Sequence, residues 1–289
     1  MANVNFDQLL DAGCHFGHLR RKWNPNMAPY IFMEQNGIHI IDLYKTIAKL
    51  DEAGAALHQM SKSGRKILFI GTKKQAKEIV AEAARSVGMP YVVERWPGGM
   101  LTNFATIRKA VKKMSNIDKM LNDPSFTNIS KRERLQITRE RAKLEKNLGS
   151  ISDLNKLPSA LFVVDILKEH IAVAEAQILG IPTFAIVDTN SDPKKVDFPI
   201  PANDDAGKSI SVILGEVCRH INEGLEERKM IKDSEAADDS DDDTSVNENE
   251  VNVNVDIEDE DGNKAKRKRT VSKAPAKGGT RKINIEVKD

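Results

Sequence analysis

The chain contains no run approaching the roughly 18 apolar residues that a membrane-crossing helix needs, so no membrane partner is expected. Its first residues, MANVNFDQLLDAG, lack the basic start and apolar stretch of a secretion signal. Only two cysteines occur, Cys14 and Cys218, far apart in the chain. A disulfide framework is therefore not expected, and a reducing, cytoplasmic setting is. No G-x-S-x-G turn or paired catalytic carboxylates stand out, and the six histidines (15, 18, 39, 58, 170 and 220) are scattered. No nucleophile, base and acid come together as a set, so neither an enzyme nor a small-molecule substrate is expected.

Charge, by contrast, is abundant and unevenly placed. The net charge of +1 conceals four blocks. Residues 1–149 hold 25 Lys and Arg against 14 Asp and Glu, and residues 150–229 hold 8 against 13. Residues 230–263 carry one Lys against 14 acids, and residues 264–289 carry 10 bases against 2 acids. Positive charge gathered into the first half suits a polyanionic partner. The same excess equally suits a solvated surface.

Hydrophobic residues make up 40% of the chain, and their pattern alternates strand with helix up to about residue 229. Short apolar runs ending near Gly or Asp read as buried parallel strands at 38–42, 66–71, 91–94, 160–165 and 183–188. Helical periodicity fills 44–60, 73–87, 168–179 and 208–227. The expected fold is α/β, a parallel sheet of the Rossmann or flavodoxin kind with helices on both faces. One insertion, about 102–149, breaks the alternation. Its first half carries Phe104, Ile107, Val111, Met114, Ile117 and Leu121 at helical spacing. Asp-Pro in NDPSF (122–126) then interrupts the chain, and a second helix at 131–148 has a sparser stripe of Leu135, Ala142 and Leu148. A helical hairpin, paired as a coiled coil, is the simplest structure. Residues 105–147 hold 12 bases against 5 acids, so its outer faces are basic. Residues 230–289, almost free of large apolar side chains, read as a disordered tail with an acidic and then a basic block.

Four motifs carry candidate chemistry. GCHFGHLRRKWNPNMAPYI (13–31) sets Arg20, Arg21 and Lys22 beside Trp23 and Asn24 in a polar loop. Cations that meet phosphates, next to a ring that stacks on an unpaired base, suit RNA; alternatively Trp23 plugs the core. Cys14, His15 and His18 match no common zinc spacing. In ERWPGGMLTN (94–103), Arg95 and Trp96 precede a Gly98-Gly99 turn and Asn103, with Thr102 a candidate cap for a helix whose free N–H groups favour a phosphate. An ordinary tight turn reads the same way. ANDDAGKS (202–209) mimics a phosphate-binding loop, but Asp204 and Asp205 stand where phosphates would lie, and two prolines precede it. Asp204 or Asp205 capping the next helix is the better reading. Finally Asp188, at a strand end, can join Asp192, Asp204 and Asp205 around a structural Mg²⁺; no other cofactor is called for.

Taken together and in order, AGCHFGHLRRKWNPNMAPYIF with NGIHIIDL, RWPGGMLTN, and IPTFAIVDTNSDP with IPANDDAGKS resemble the bacterial small-subunit ribosomal protein number two family. The resemblance spans about Asn5 to Arg228. It implies an α/β domain with a coiled-coil protrusion, docked on small-subunit rRNA where head meets body. It also implies help in recruiting the large ribosomal protein number one. Arg20, Arg21, Lys22, Arg95, Arg108, Lys109, Lys112 and Lys113 are the candidates for phosphate contacts, and Trp23 and Trp96 for stacking.

Overall fold

The computed structural model describes residues 4–122 and 130–241. The 123–129 connection of the hairpin and residues 242–289, which hold most of the acidic block and all of the basic one, lie outside the described residues.

A five-stranded sheet organises the fold: β4 (Ile67–Ile70), β5 (Tyr91–Val92), β6 (Ala160–Val164), β7 (Thr183–Val187) and β8 (Phe198–Pro201). They lie in the order β5-β4-β6-β7-β8, all parallel. Counted within the sheet this is 2-1-3-4-5, the flavodoxin-like order. The runs ILFI, ALFVV and TFAIV are buried at every position because helices cover both faces. Phe69, Phe162, Phe184 and Ile186 point to one face, against α2 (Leu43–Lys62), α3 (Lys77–Ser86) and α7 (Gly207–Asp241). Leu68, Ile70, Val163 and Val187 point to the other, against α6 (His170–Leu179) and the base of the inserted helices. Each fully buried phenylalanine contributes about 1.5–3 kcal/mol of apolar burial.

One strand of the parallel sheet was hidden from the sequence pattern, and one expected strand joins a different sheet. β8 contains Pro199 and Pro201, which suit only an edge strand. Ala202 donates its N–H to the Val187 carbonyl at 3.1 Å, so alternate N–H groups of β8 face β7 and the two prolines fall on the outer side. The expected strand at 38–42 is β3 (Ile38–Ile41), but it does not join the parallel sheet. It is the centre of a separate antiparallel sheet, between β1 (Phe16–Leu19) and β2 (Ile31–Gln35). The turn at Asn36 (φ 53) and Gly37 (φ 75) makes β2 and β3 a two-residue hairpin, which an apolar run read alone cannot reveal.

The insertion is a helix pair, α4 (Phe104–Asn122) and α5 (Lys131–Leu148). The α4 stripe is as expected: Val111, Met114 and Ile117 are buried. The α5 stripe is not. Leu135 is 50% exposed, and the sheltered face carries Ile137, Arg141, Leu144 and Leu148. At about 100° per residue, Leu148 lies far round the helix from Leu135 and Ala142, so those three never shared a face. Arg141 bridges the pair, its Nε 2.5 Å from Asp118 Oδ1 of α4, while its Nη1 lies 2.5 Å from Glu145 within α5. The final helix α7 runs on to Asp241, past the boundary at 229, since propagation into a Met-, Lys- and Ala-containing stretch costs little once a helix exists.

Candidate nucleic-acid interface

The HLRRKW loop leaves β1 as a single 3₁₀ turn, Arg20–Lys22. Its geometry puts three consecutive cations outward, and all three are exposed. Arg20 lies 3.4 Å from Glu34, with both side chains largely in solvent, a pair that holds little energy. Trp23 is 36% exposed, its ring tilted over His39 with centroids 5.1 Å apart. A shallow groove lies beside it, lined by Leu19, Arg20, Arg21, Trp23 and Gly37. Below it, His39 is 7% exposed and neither ring nitrogen has a hydrogen-bond partner among the described residues. Asn24 has a different task. Its N–H donates to the Thr189 carbonyl at 2.8 Å, and its side chain accepts from the Asn26 N–H at 2.9 Å, capping the 3₁₀ turn Pro25–Tyr30.

The second loop, 94–103, corrects the sequence expectation. Trp96 is 6% exposed, so it offers no free face for a base to stack on. Its indole N–H donates to Glu175 Oε1 at 3.1 Å, and the Gly99 N–H donates to the same oxygen at 2.8 Å. Glu175 Oε2 accepts from Leu101 N–H (2.9 Å), Thr102 N–H (3.1 Å) and the Thr102 hydroxyl (3.2 Å). The N–H groups that looked ready for a phosphate are thus filled by the protein's own carboxylate. Burial pushes the Glu175 carboxyl up, but the N–H donors of Thr102, Leu101, Trp96 and Gly99 outweigh it and hold it below the usual glutamate range. Thr102 is not the helix cap, because α4 starts at Phe104 and the Thr102 hydroxyl is spent on Glu175. Arg95 and Gly98 stay exposed. Asn103 is exposed too, its side-chain oxygen taken by the Thr106 hydroxyl at 2.8 Å.

On α4, Lys109 and Lys112 are exposed one helical turn apart. Arg108 is half-buried and donates to the Leu154 carbonyl at 3.0 Å, and Lys113 pairs with Glu140 of α5. Two of the four candidate cations on α4 are therefore partly engaged within the protein. The neighbouring helix adds Lys131, Arg132, Arg134, Arg139 and Lys143, all exposed; the sequence charge count included them without singling them out.

The carboxylates expected to hold Mg²⁺ meet at the C-terminal edge of the sheet, but in altered company. Asp188 and Asp204 are buried, and His18 is the group that joins them; ligand atoms of the three lie within 4.8 Å of one another. His18 Nδ1 is 3.0 Å from Asp188 and its Nε2 is 3.4 Å from Asp205. Hydrogen bonding to Asp188 raises the His18 pKa despite burial. Lys73, expected within a helix, sits in the loop after β4 instead, 2.7 Å from Asp204, 2.5 Å from Asp205 and 3.5 Å from Asp165. The signal that would have found it is its place just past a strand end, where open α/β sheets bind ligands. Asp192 is elsewhere, capping the 3₁₀ turn Pro193–Lys195 and accepting from Asn26 at 3.0 Å. Burial, together with the charges of Asp165 and Asp188, raises the Asp204 pKa to about 7, against the pull of Lys73. Its second oxygen, Oδ2, has no hydrogen-bond partner among the described residues. An orphaned buried oxygen beside an imidazole and a carboxylate fits a divalent cation, although the imidazole suits a softer metal than Mg²⁺. The resemblance of 202–209 to a phosphate-binding loop ends here, since Asp204 fills its centre. Asp204 and Asp205 turn to Lys73 instead, and the turn that leads into α7 is held by Asn203, whose side-chain oxygen accepts from the N–H groups of Asp205 (2.8 Å) and Ala206 (3.2 Å).

Comparison with known proteins decides the class of partner. The profile of the family described as Ribosomal protein S2 matches residues 9–224. The chain belongs to that family. It is similar to the small ribosomal subunit protein uS2 of Phocaeicola vulgatus, 73% identical over 238 residues that cover 82% of this chain and 85% of that one. The uS2 proteins of Parabacteroides distasonis (69% over 241 residues, 83% and 87% covered) and Bacteroides thetaiotaomicron (71% over 238 residues, 82% and 86% covered) are similar to it as well. An S2-family chain is a structural, non-catalytic component of the small ribosomal subunit, serving translation on cytoplasmic ribosomes. Among the described residues no helix is long and apolar enough to cross a membrane.

Proposed function

We propose that this S2-family chain grips small-subunit rRNA through the outward cations of the Arg20–Lys22 turn and the basic faces of α4 and α5, a coiled-coil arm standing off the core. The observation that carries the reading is that Arg21, Lys22, Lys109 and Lys112 are exposed on one turn and one helix face, while other cations of the chain are drawn into ion pairs. Phosphate contacts of this kind position a protein without reading sequence, and their strength falls steeply with salt. Trp23, beside those cations, is the stacking surface for one unpaired base. Location at the head–body junction and help in seating ribosomal protein number one follow from the family resemblance. Sedimentation of the tagged protein through sucrose gradients tests the grip. Co-migration with the small subunit at low salt and progressive release at high salt supports it; a protein that runs free at both salts overturns it. Subunits depleted of this chain should also lose protein number one, and its retention would overturn that part of the reading.

The His18, Asp188 and Asp204 group is the second proposal, a structural divalent-cation site completed by Asp205. The orphaned Asp204 oxygen carries it. Calorimetric titration of the chain with Mg²⁺ and with a softer divalent ion should show binding that is lost in Asp188→Asn. No heat with either ion would remove it.

A further inference from the structure

We propose that Glu175 is a positioning residue for the RNA grip, an internal substitute for a phosphate that fixes loop 96–102 and so sets the direction in which α4 leaves the core. The idea rests on the reading above, that the α4 cations meet rRNA. Glu175 belongs to α6, between Ala172 and Ala176, which pack on the sheet. An acid on that apolar face is costly unless every lone pair is used, and here both oxygens are used. One holds the Trp96 indole and the Gly99 backbone, and the other holds Leu101, Thr102 and the Thr102 hydroxyl.

The arrangement has the form of an anion-binding loop with its anion supplied covalently. Donors from Trp96 to Thr102 converge on one charge, and α4 begins two residues later at Phe104. Gly99 is in the left-handed region (φ 82), which turns its N–H toward Glu175 at no steric cost. The clasp therefore ties the loop that leads into the arm to α6, whose Ala172 and Ala176 pack against the parallel sheet. Lys109 and Lys112 lie on α4, within its first three turns, so their placement against a phosphate backbone follows from the clasp. Glu175 touches no RNA and acts through α4 alone.

The test is anion rescue of the full chain. Glu175→Ala leaves the converging N–H groups around a vacated, carboxylate-sized space. Hydrogen exchange at Gly99, Leu101, Thr102 and the first turn of α4 should quicken by about tenfold or more, the amides of β4, β6 and β7 staying protected. Small-subunit association should weaken about tenfold with it. Formate should restore both, while chloride at the same ionic strength restores neither; a residue needed only for packing would show no such selectivity. Glu175→Gln, which keeps the shape but turns an amide N–H₂ toward donors, should show the same local loosening without rescue, and it serves if the alanine variant does not fold. Exchange that is unchanged, exchange that quickens alike through the sheet, or formate no better than chloride would each overturn the proposal. Lys109→Ala/Lys112→Ala separates the two readings. If that pair leaves association untouched while Glu175→Ala still loosens α4, the RNA reading of the arm fails and the clasp remains only a fold element.

Discussion

Two loops of this chain look alike in sequence and are used in opposite ways. HLRRKW (18–23) and ERWPGG (94–99) each set arginine close before tryptophan, and each is a reasonable place to expect RNA. In the first, the cations and a third of the indole face outward. In the second, the indole and the Gly99 N–H turn inward onto Glu175, joined by the N–H groups of Leu101 and Thr102 just beyond. The difference lies 79 residues away in the chain, on a different helix. A binding signature in sequence says which groups are available, and a distant partner decides whether they are already taken.

The comparison can be broken most directly at the tryptophans. Trp96→Ala removes a buried ring and leaves Glu175 short of a donor, so it should cost about 3–5 kcal/mol in urea unfolding. Trp23→Ala should cost less than about 1 kcal/mol, as a partly exposed ring does, and should act on subunit association instead. Equal losses of stability would erase the distinction between the loops. Next in size, Arg20, Arg21 and Lys22 replaced together by Gln should leave unfolding unchanged. The slope of log affinity against log salt should flatten by about 0.7–0.9 for each phosphate that is no longer neutralised. An unaltered slope would mean that the outward loop does not meet phosphates. Smaller still, Gly99→Ala forces an alanine to a φ of 82 and should destabilise by about 1–2 kcal/mol. Gly98→Ala, whose added carbon meets nothing within 4 Å, should be close to neutral; similar values for both would show that the Glu175 turn is not held as described.

The last effect is confined to acid. The Glu175 carboxyl lies below its ordinary value of 4.5 in the folded chain, so its stabilisation is complete above that value and is lost as pH falls through the lower, folded one. Trp96 fluorescence, followed in a Trp23→Phe background, should change in that acid range. In Glu175→Gln the same transition should vanish, and its persistence would assign it to another carboxylate.

How much of this could be read beforehand depends on the range of the interactions. β4, β6 and β7 were legible because burial on both faces demands unbroken apolar runs such as ILFI and TFAIV. The α4 stripe was legible because a helix repeats its face every few residues. β1, β2 and β8 were not, being short edge or hairpin strands whose pairing is set by turns and prolines. The Arg20–Lys22 turn is exposed as expected because three adjacent cations have no inexpensive interior. Trp96, His18, Lys73 and Glu175 were misplaced or missed because each is defined by partners 79 or more residues away, or across the sheet edge. One clue was present: Glu175 interrupts the apolar face of IAVAEAQIL, and an acid there implies a set of donors.

The outer strand β8 has a consequence for the protein before it reaches its particle. Both outward positions are proline, and the Pro201 carbonyl is occupied by the Thr46 hydroxyl at 2.6 Å. A second chain that tried to extend the sheet from this side would find no donors at either position. The β8 edge is therefore closed as a route by which newly made copies could zip into a continuous ribbon.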